Sequence, residues 1–179
     1  VEFSYLSNNG KFGNTVRFHS AFTPENLNDN HFYGFNGNYF SRNFRMGWTL
    51  DVVGENYITE LGFNPRLENF NAETEETTRK GFTRINPWMN YRFFLKEGKV
   101  NSHGPVTWFR LFLNQDGTGM NERVNGLGYN INFKNTSWLR PNIVNREVNL
   151  PVPTSLLGDD FEPLPVANYT FTSADIRYN

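Results

Sequence analysis

Apolar and polar side chains alternate along residues 44–52, and this pattern limits the possible folds more than any other feature of the chain. A repeat of two places successive side chains on opposite faces of a β-strand, whereas a helix would need a repeat of 3.6. The segment therefore predicts a strand with one apolar face. The apolar positions are Phe44, Met46, Trp48, Leu50 and Val52.

The same alternation recurs along most of the sequence. Clear runs lie at residues 107–113, 127–133 and 169–178, and a blurred one lies at 31–40. Asn-rich and Gly-rich segments between the runs are typical of turns. We expect about eight or nine antiparallel strands of roughly 8–12 residues. The only place where we expect a turn of helix is within Thr74–Lys80.

Two stretches interrupt the alternation and predict long loops, near residues 54–80 and 149–165. The first contains a run of polar and acidic residues. The second carries four prolines, which cannot donate to a hydrogen-bond ladder and are excluded from interior strands. We therefore interpret residues 1–179 as one β-sheet unit with two long loops.

The composition is unusual because the chain is rich in large rings and yet polar on average. Its 179 residues include 18 Phe, 8 Tyr and 4 Trp, while the mean hydropathy is −0.61. Alternating strands reconcile the two values by placing rings on one face and polar groups on the other. The formal net charge of −1 argues against a nucleic-acid partner, which would require a basic surface.

Two architectures fit such strands. No segment approaches the roughly 18 apolar residues of a membrane helix, so the chain could span a bilayer only as a closed barrel. Asn, Gly, Thr and Arg on the face opposite the rings favour an antiparallel transmembrane β-barrel with a wet interior. The alternative is a soluble β-sandwich carbohydrate-binding module, in which Trp48, Trp88 and Trp108 would stack on sugars.

Two segments carry a family resemblance. Residues 55–66 read Glu-Asn-Tyr-Ile-Thr-Glu-Leu-Gly-Phe-Asn-Pro-Arg, and residues 161–171 read Phe-Glu-Pro-Leu-Pro-Val-Ala-Asn-Tyr-Thr-Phe. With their spacing and the strand rhythm, they resemble an uncharacterised outer-membrane β-barrel domain that follows family-9-type carbohydrate-binding domains in Gram-negative bacteria. Ala167 stands where that family usually has Gly.

The resemblance implies a cell outer membrane location and a channel or scaffold in envelope transport, linked to glycan handling through an upstream domain. It implies further strands beyond Asn179, and Val1 in place of an initiator Met agrees with a processed or partial chain. We therefore expect an incomplete segment of a larger barrel that does not close by itself. The expected partners are outer-membrane lipid and other envelope proteins or glycans.

The alternation also assigns candidate residues to the two faces. The candidates for the lumen are Arg17, Arg45, Arg92 and Arg110. The candidates for the lipid face are Met46, Trp48, Leu50, Tyr129, Ile131 and Phe133. Inward arginines would tune the selectivity for solutes, or they would pair with Asp51 or Glu122 and simply hold the interior together.

No pattern in the chain predicts catalysis or a cofactor. The three histidines are far apart and show no metal-ligand spacing. Asp159, Asp160 and Glu162 lie in a Pro-rich loop, which does not provide the rigid carboxylate pair that glycoside hydrolysis needs. A nucleophile elbow and a phosphate-binding loop are both missing from the sequence. We therefore expect no enzyme activity, no metal and no cofactor.

Overall fold

The structure is a computed structural model that describes residues 1–20, 28–58, 67–117, 119–155 and 162–179. Over these residues the chain forms strands, turns and bends but no helix, which confirms the predicted all-β class. In particular, no described helix is long and apolar enough to cross a membrane. The strands are β1 (Glu2–Leu6), β2 (Phe12–Ser20), β3 (His31–Phe40), β4 (Phe44–Val53), β5 (Glu68–Phe70), β6 (Thr77–Arg79), β7 (Phe82–Ile85), β8 (Trp88–Tyr91), β9 (Phe93–Phe94), β10 (Val100–Asn114), β11 (Met120–Phe133), β12 (Trp138–Leu150) and β13 (Ala167–Tyr178).

One antiparallel sheet contains most of these strands, in the order β1-β2-β3-β4-β7-β10-β11-β12-β13. Strands β7, β8 and β9 follow one another alongside β10, and the first two also pair with β4. Pro87 lies at the first interruption, where its missing N–H cannot continue a ladder. Strands β5 and β6 form a separate hairpin, in which Thr77–Arg79 is extended. The prediction of a helical turn within Thr74–Lys80 is therefore wrong.

The sheet is open at both edges. Among the described residues, β1 pairs only with β2 and β13 pairs only with β12. The edge strands therefore present backbone N–H and C=O groups that no described strand satisfies.

The register gives the sheet two chemically distinct faces, because residues directly opposite each other across strands share a face. We call them the apolar face and the polar face. One row of partners on the apolar face runs through Phe3, Val16, Phe35, Leu50, Ile85 and Leu111. A neighbouring row on the polar face runs through Glu2, Arg17, Gly34, Asp51, Arg84, Phe112 and Glu122.

The connections between strands differ at the two ends of the sheet. At one end, the short-turn end, they span residues 7–11, 41–43, 95–99 and 134–137. At the other, the long-loop end, they span residues 21–30, 54–81, 115–119 and 151–166.

A small hydrophobic core lies on the polar face at the long-loop end. Its buried members are Val53, Leu67, Phe82 and Phe112, and Phe32 and Tyr57 pack against it. Arg79 ties the nearby segment together, because its guanidinium donates to the carbonyls of Glu55 and Tyr57 at 3.1 and 3.0 Å. Burial raises the pKa of the Tyr57 phenol. The segment after β4 therefore folds back onto the polar face.

Candidate functional site

Burial is inverted between the two faces. Large apolar side chains are exposed on the apolar face: Leu127 is 60% exposed and Ile143 56%. Buried polar side chains lie on the polar face, where Asp51 and Glu122 are only 6% and 4% exposed. Soluble domains show the opposite arrangement, because they bury apolar residues and expose charged ones. In this sheet the polar face is the sheltered one.

The six residues predicted to meet lipid share the apolar face. Met46 lies opposite Tyr39, Leu50 opposite Phe35, and Tyr129 opposite Pro105. The other three fall on the same face by strand alternation: they are Trp48, Ile131 and Phe133. The register fixes only this shared face, so their contact with lipid stays a prediction.

The four arginines predicted to face the lumen lie on the polar face, but they differ in their partners. Arg17 has a Glu2 carboxylate oxygen at 3.4 Å. Within the described part of the chain, Arg45, Arg92 and Arg110 have no carboxylate oxygen within 4.0 Å. Only Arg17 is therefore neutralised by a local ion pair.

Asp51 and Glu122 pair with arginines that the sequence did not single out. Arg84 donates to Asp51, and Arg146 lies 3.5 Å from Glu122. Arg84 sits in the four-residue strand β7, which is too short to display a periodic pattern. The sequence signal that could have found it is its position two residues after Phe82, on the same strand face.

Trp88 and Trp108 lie side by side on the polar face as cross-strand partners between β8 and β10. Their indoles lean apart, Trp88 over Gly47 and Trp108 over Gly126, where a Cβ atom would collide with the rings. Trp48 belongs to the opposite face. The structure thus brings together two of the three predicted tryptophans, which we call the tryptophan pair.

Arg45, Arg92 and Arg140 share the polar face, and we call them the arginine group. Arg45 is the cross-strand partner of Asn90, which lies two residues before Arg92. Arg140, on β12, is close enough for its charge to act on Arg92. Arg92 is held in place because its Nε donates to Asn90 Oδ1 at 3.1 Å. Arg140 lies over the Trp138 ring, 4.2 Å from the ring centroid.

A cavity of about 480 Å³ opens beside the arginine group at the short-turn end. Besides Arg92, its walls include Ser102, Asn132 and Lys134. Asn132 Nδ2 donates to Ser102 Oγ at 3.2 Å. The cavity therefore combines polar groups and two cationic side chains with the rings of Phe94 and Phe133.

Some predicted features fall outside the described residues: these are residues 59–66 of the first family-like segment and, in the acidic loop, Asp159 and Asp160. Within the described ranges, no group of three or more His, Cys, Asp or Glu side chains is arranged to hold a metal ion.

Comparisons with models of protein families, with curated proteins and with solved structures find no match to this chain. The resemblance to an outer-membrane barrel domain therefore stays a prediction from the sequence.

Proposed function

We propose that this sheet forms part of the wall of an outer-membrane β-barrel that acts as a channel or scaffold in envelope transport. The observation that carries the proposal is the inverted burial of the two faces. Exposed apolar side chains suit hydrocarbon, and sheltered charges suit a water-filled lumen. In this arrangement the apolar face meets lipid and the polar face borders the lumen.

The height of the apolar face fits a bilayer. On β10 its positions run from His103 to Leu113, which is roughly 34 Å along a strand at ~3.4 Å per residue. At a tilt of about 45° this gives a height of about 25 Å, close to the apolar band of outer-membrane barrels. Strand β10 is thus long enough to span the hydrocarbon layer, while the next strands, β11 and β12, carry Arg123 and Glu147 on this face near the long-loop end.

The two ends of the sheet also match this topology, because outer-membrane barrels have short periplasmic turns and longer extracellular loops. The short-turn end would then face the periplasm. Aromatic side chains occur there on the apolar face, as in an interfacial girdle. They are Tyr39, Phe44, Tyr91, Phe93, Phe133 and Tyr178.

The open edges must be satisfied if the sheet crosses a membrane. Each unpaired backbone group costs several kcal/mol in hydrocarbon. We infer that β1 and β13 pair with strands other than those described, so that the sheet is one segment of a larger closed wall.

The competing function is a soluble carbohydrate-binding module, which the tryptophan pair on one face favours. A sandwich of that kind would cover the apolar face with a second sheet. In the described parts of the chain, the only other sheet is the β5–β6 hairpin, and the small core lies on the polar face. The membrane proposal accounts better for the exposed apolar face.

Thiol labelling of neighbouring positions tests the proposal directly, since the chain has no cysteine of its own. In lipid vesicles, Thr49→Cys is expected to react with a membrane-impermeant maleimide and Leu50→Cys to be protected, because the two side chains point to opposite faces. Mass spectrometry of the labelled protein gives both rates.

Denaturing each variant in urea before labelling controls for intrinsic reactivity, and both cysteines should then react at similar rates. Rapid labelling at Leu50→Cys together with protection at Thr49→Cys would reverse the assignment of the two faces and contradict the membrane proposal.

A further inference from the structure

The tryptophan pair and the arginine group are neighbours on the polar face, and we propose that together they form a binding site for acidic sugars. The inference rests on the proposed function, in which the polar face borders a water-filled lumen. Arg45 and Asn90 lie two positions along their strands from Gly47 and Trp88, a distance of roughly 7 Å. A sugar ring stacked on Trp88 can therefore reach Arg45 with a carboxylate, and Arg92, four positions from Trp88 and roughly 14 Å away, is within reach of the next rings of an oligosaccharide.

The tryptophan pair provides a flat surface for a sugar ring. Because Gly47 and Gly126 lack side chains, the two indoles can lie down against the sheet and keep one ring face open. Phe40 extends the surface, with its ring centroid 6.3 Å from that of Trp88. The face of an indole carries the negative part of its quadrupole and attracts the C–H groups on the flat side of a pyranose.

The arginine group makes the site selective for acidic sugars. Arg17, Arg84 and Arg146 on the same face each have a carboxylate partner. The three arginines of the group have none within the described residues, so their positive charge is uncompensated. A guanidinium donates two parallel hydrogen bonds to a carboxylate, and a neutral sugar would leave these donors unmatched.

The surroundings supply space and partners for the hydroxyl groups of a sugar. The cavity of about 480 Å³ beside Arg92 is bordered by Ser102 and Asn132, and Lys134 adds a further cation. Asn90 holds the Arg92 side chain in orientation, so less conformational freedom is lost when an anion binds.

Isothermal titration calorimetry on the full chain in detergent micelles tests the site, with trigalacturonate as the acidic probe and maltotriose as the neutral one. We expect trigalacturonate to bind at least about tenfold more tightly, because hydrogen bonds to charged groups are the stronger ones. Arg92→Gln or Arg140→Gln should remove this preference and leave maltotriose binding unchanged. Trp88→Ala should weaken the binding of both sugars.

The chain offers matched controls for each change. Arg17→Gln removes a charge from the polar face on β2, away from the arginine group, and Trp48→Ala removes an indole from the apolar face. Neither should alter sugar binding. Arg140 is exposed, so Arg140→Gln tests the charge even if Arg92→Gln fails to fold.

Equal affinity for the two sugars would overturn the inference, as would no binding of either sugar or an effect of Arg17→Gln equal to that of Arg140→Gln. Sugar binding measured in detergent micelles does not depend on insertion of the protein into a lipid bilayer. A protein that shows the expected labelling of Thr49→Cys and Leu50→Cys but binds no sugar therefore refutes only the binding site. A protein that binds trigalacturonate but labels rapidly at Leu50→Cys refutes only the membrane wall.

Discussion

Replacing Leu127 by arginine is expected to lower the free energy of unfolding of the vesicle-reconstituted protein by about 2–4 kcal/mol. Leu127 lies halfway along β11 on the apolar face, between Thr107 and Ile143. If this face meets hydrocarbon, the guanidinium is forced into the bilayer interior. Urea denaturation followed by tryptophan fluorescence measures the loss.

The same substitution separates an apolar face covered by hydrocarbon from one that is exposed to water. On a water-exposed surface, a side chain as accessible as Leu127 can be replaced with a change within about ±0.5 kcal/mol. A large loss of stability would therefore show that Leu127 is not surrounded by water.

Asn125→Arg is the matched control, because Asn125 lies two residues away on the same face. Its neighbours towards the long-loop end are polar, with Arg123 and Glu147 forming an ion pair at 2.6 Å. Two residues along a strand tilted by about 45° correspond to a height of about 5 Å, so Asn125 lies between the midplane and the interface and an arginine there should cost less than at Leu127. Equal small effects of Leu127→Arg and Asn125→Arg would contradict the membrane proposal.

The two faces of the sheet could be predicted from the sequence wherever the alternation is strict. On β4 and on residues 127–133 of β11, one face carries apolar residues at successive odd or even positions without interruption. Since the side-chain period of a strand is two, the facing of each residue follows from its neighbours. The order of the strands in the sheet could not be predicted in this way, because the alternation does not show which strands pair.

Strand β12 could not be predicted, because two features hide its pattern. Asn145 and Glu147 occupy apolar-face positions near the long-loop end, where that face is polar. Pro141 lies inside the strand, and proline is expected only at edges or bulges. The structure accommodates it by omitting ladder pairs between Gly128–Asn142 and Ile131–Leu139 while keeping the register.

The candidate site depends on pairings that sequence alone does not provide. Trp88 and Trp108 are far apart in the chain and meet only because β8 pairs with β10. Arg140 belongs to the strand that the pattern hid. The sequence therefore predicted that Arg45 and Arg92 share a face, but it predicted neither Arg140 nor which residues would be neighbours.

The ion pair between Asp51 and Arg84 is expected to respond asymmetrically to loss of either partner. The Asp51 side chain is only 8% exposed, whereas that of Arg84 is 41% exposed. Arg84→Gln would leave a buried carboxylate without a charged partner, which should lower the free energy of unfolding by about 3 kcal/mol. Asp51→Asn leaves a guanidinium that reaches water, so the loss should be about 1 kcal/mol.

Urea denaturation of the two single variants and of the double variant Asp51→Asn/Arg84→Gln measures this asymmetry. The double variant should be more stable than Arg84→Gln alone, because removing the carboxylate relieves its unpaired burial. Arg17→Gln serves as the control: the Arg17–Glu2 pair is exposed on both sides and should contribute within about 0.5 kcal/mol. If Arg84→Gln is no more harmful than Arg17→Gln, then water reaches Asp51 and the polar face is not sheltered at that point.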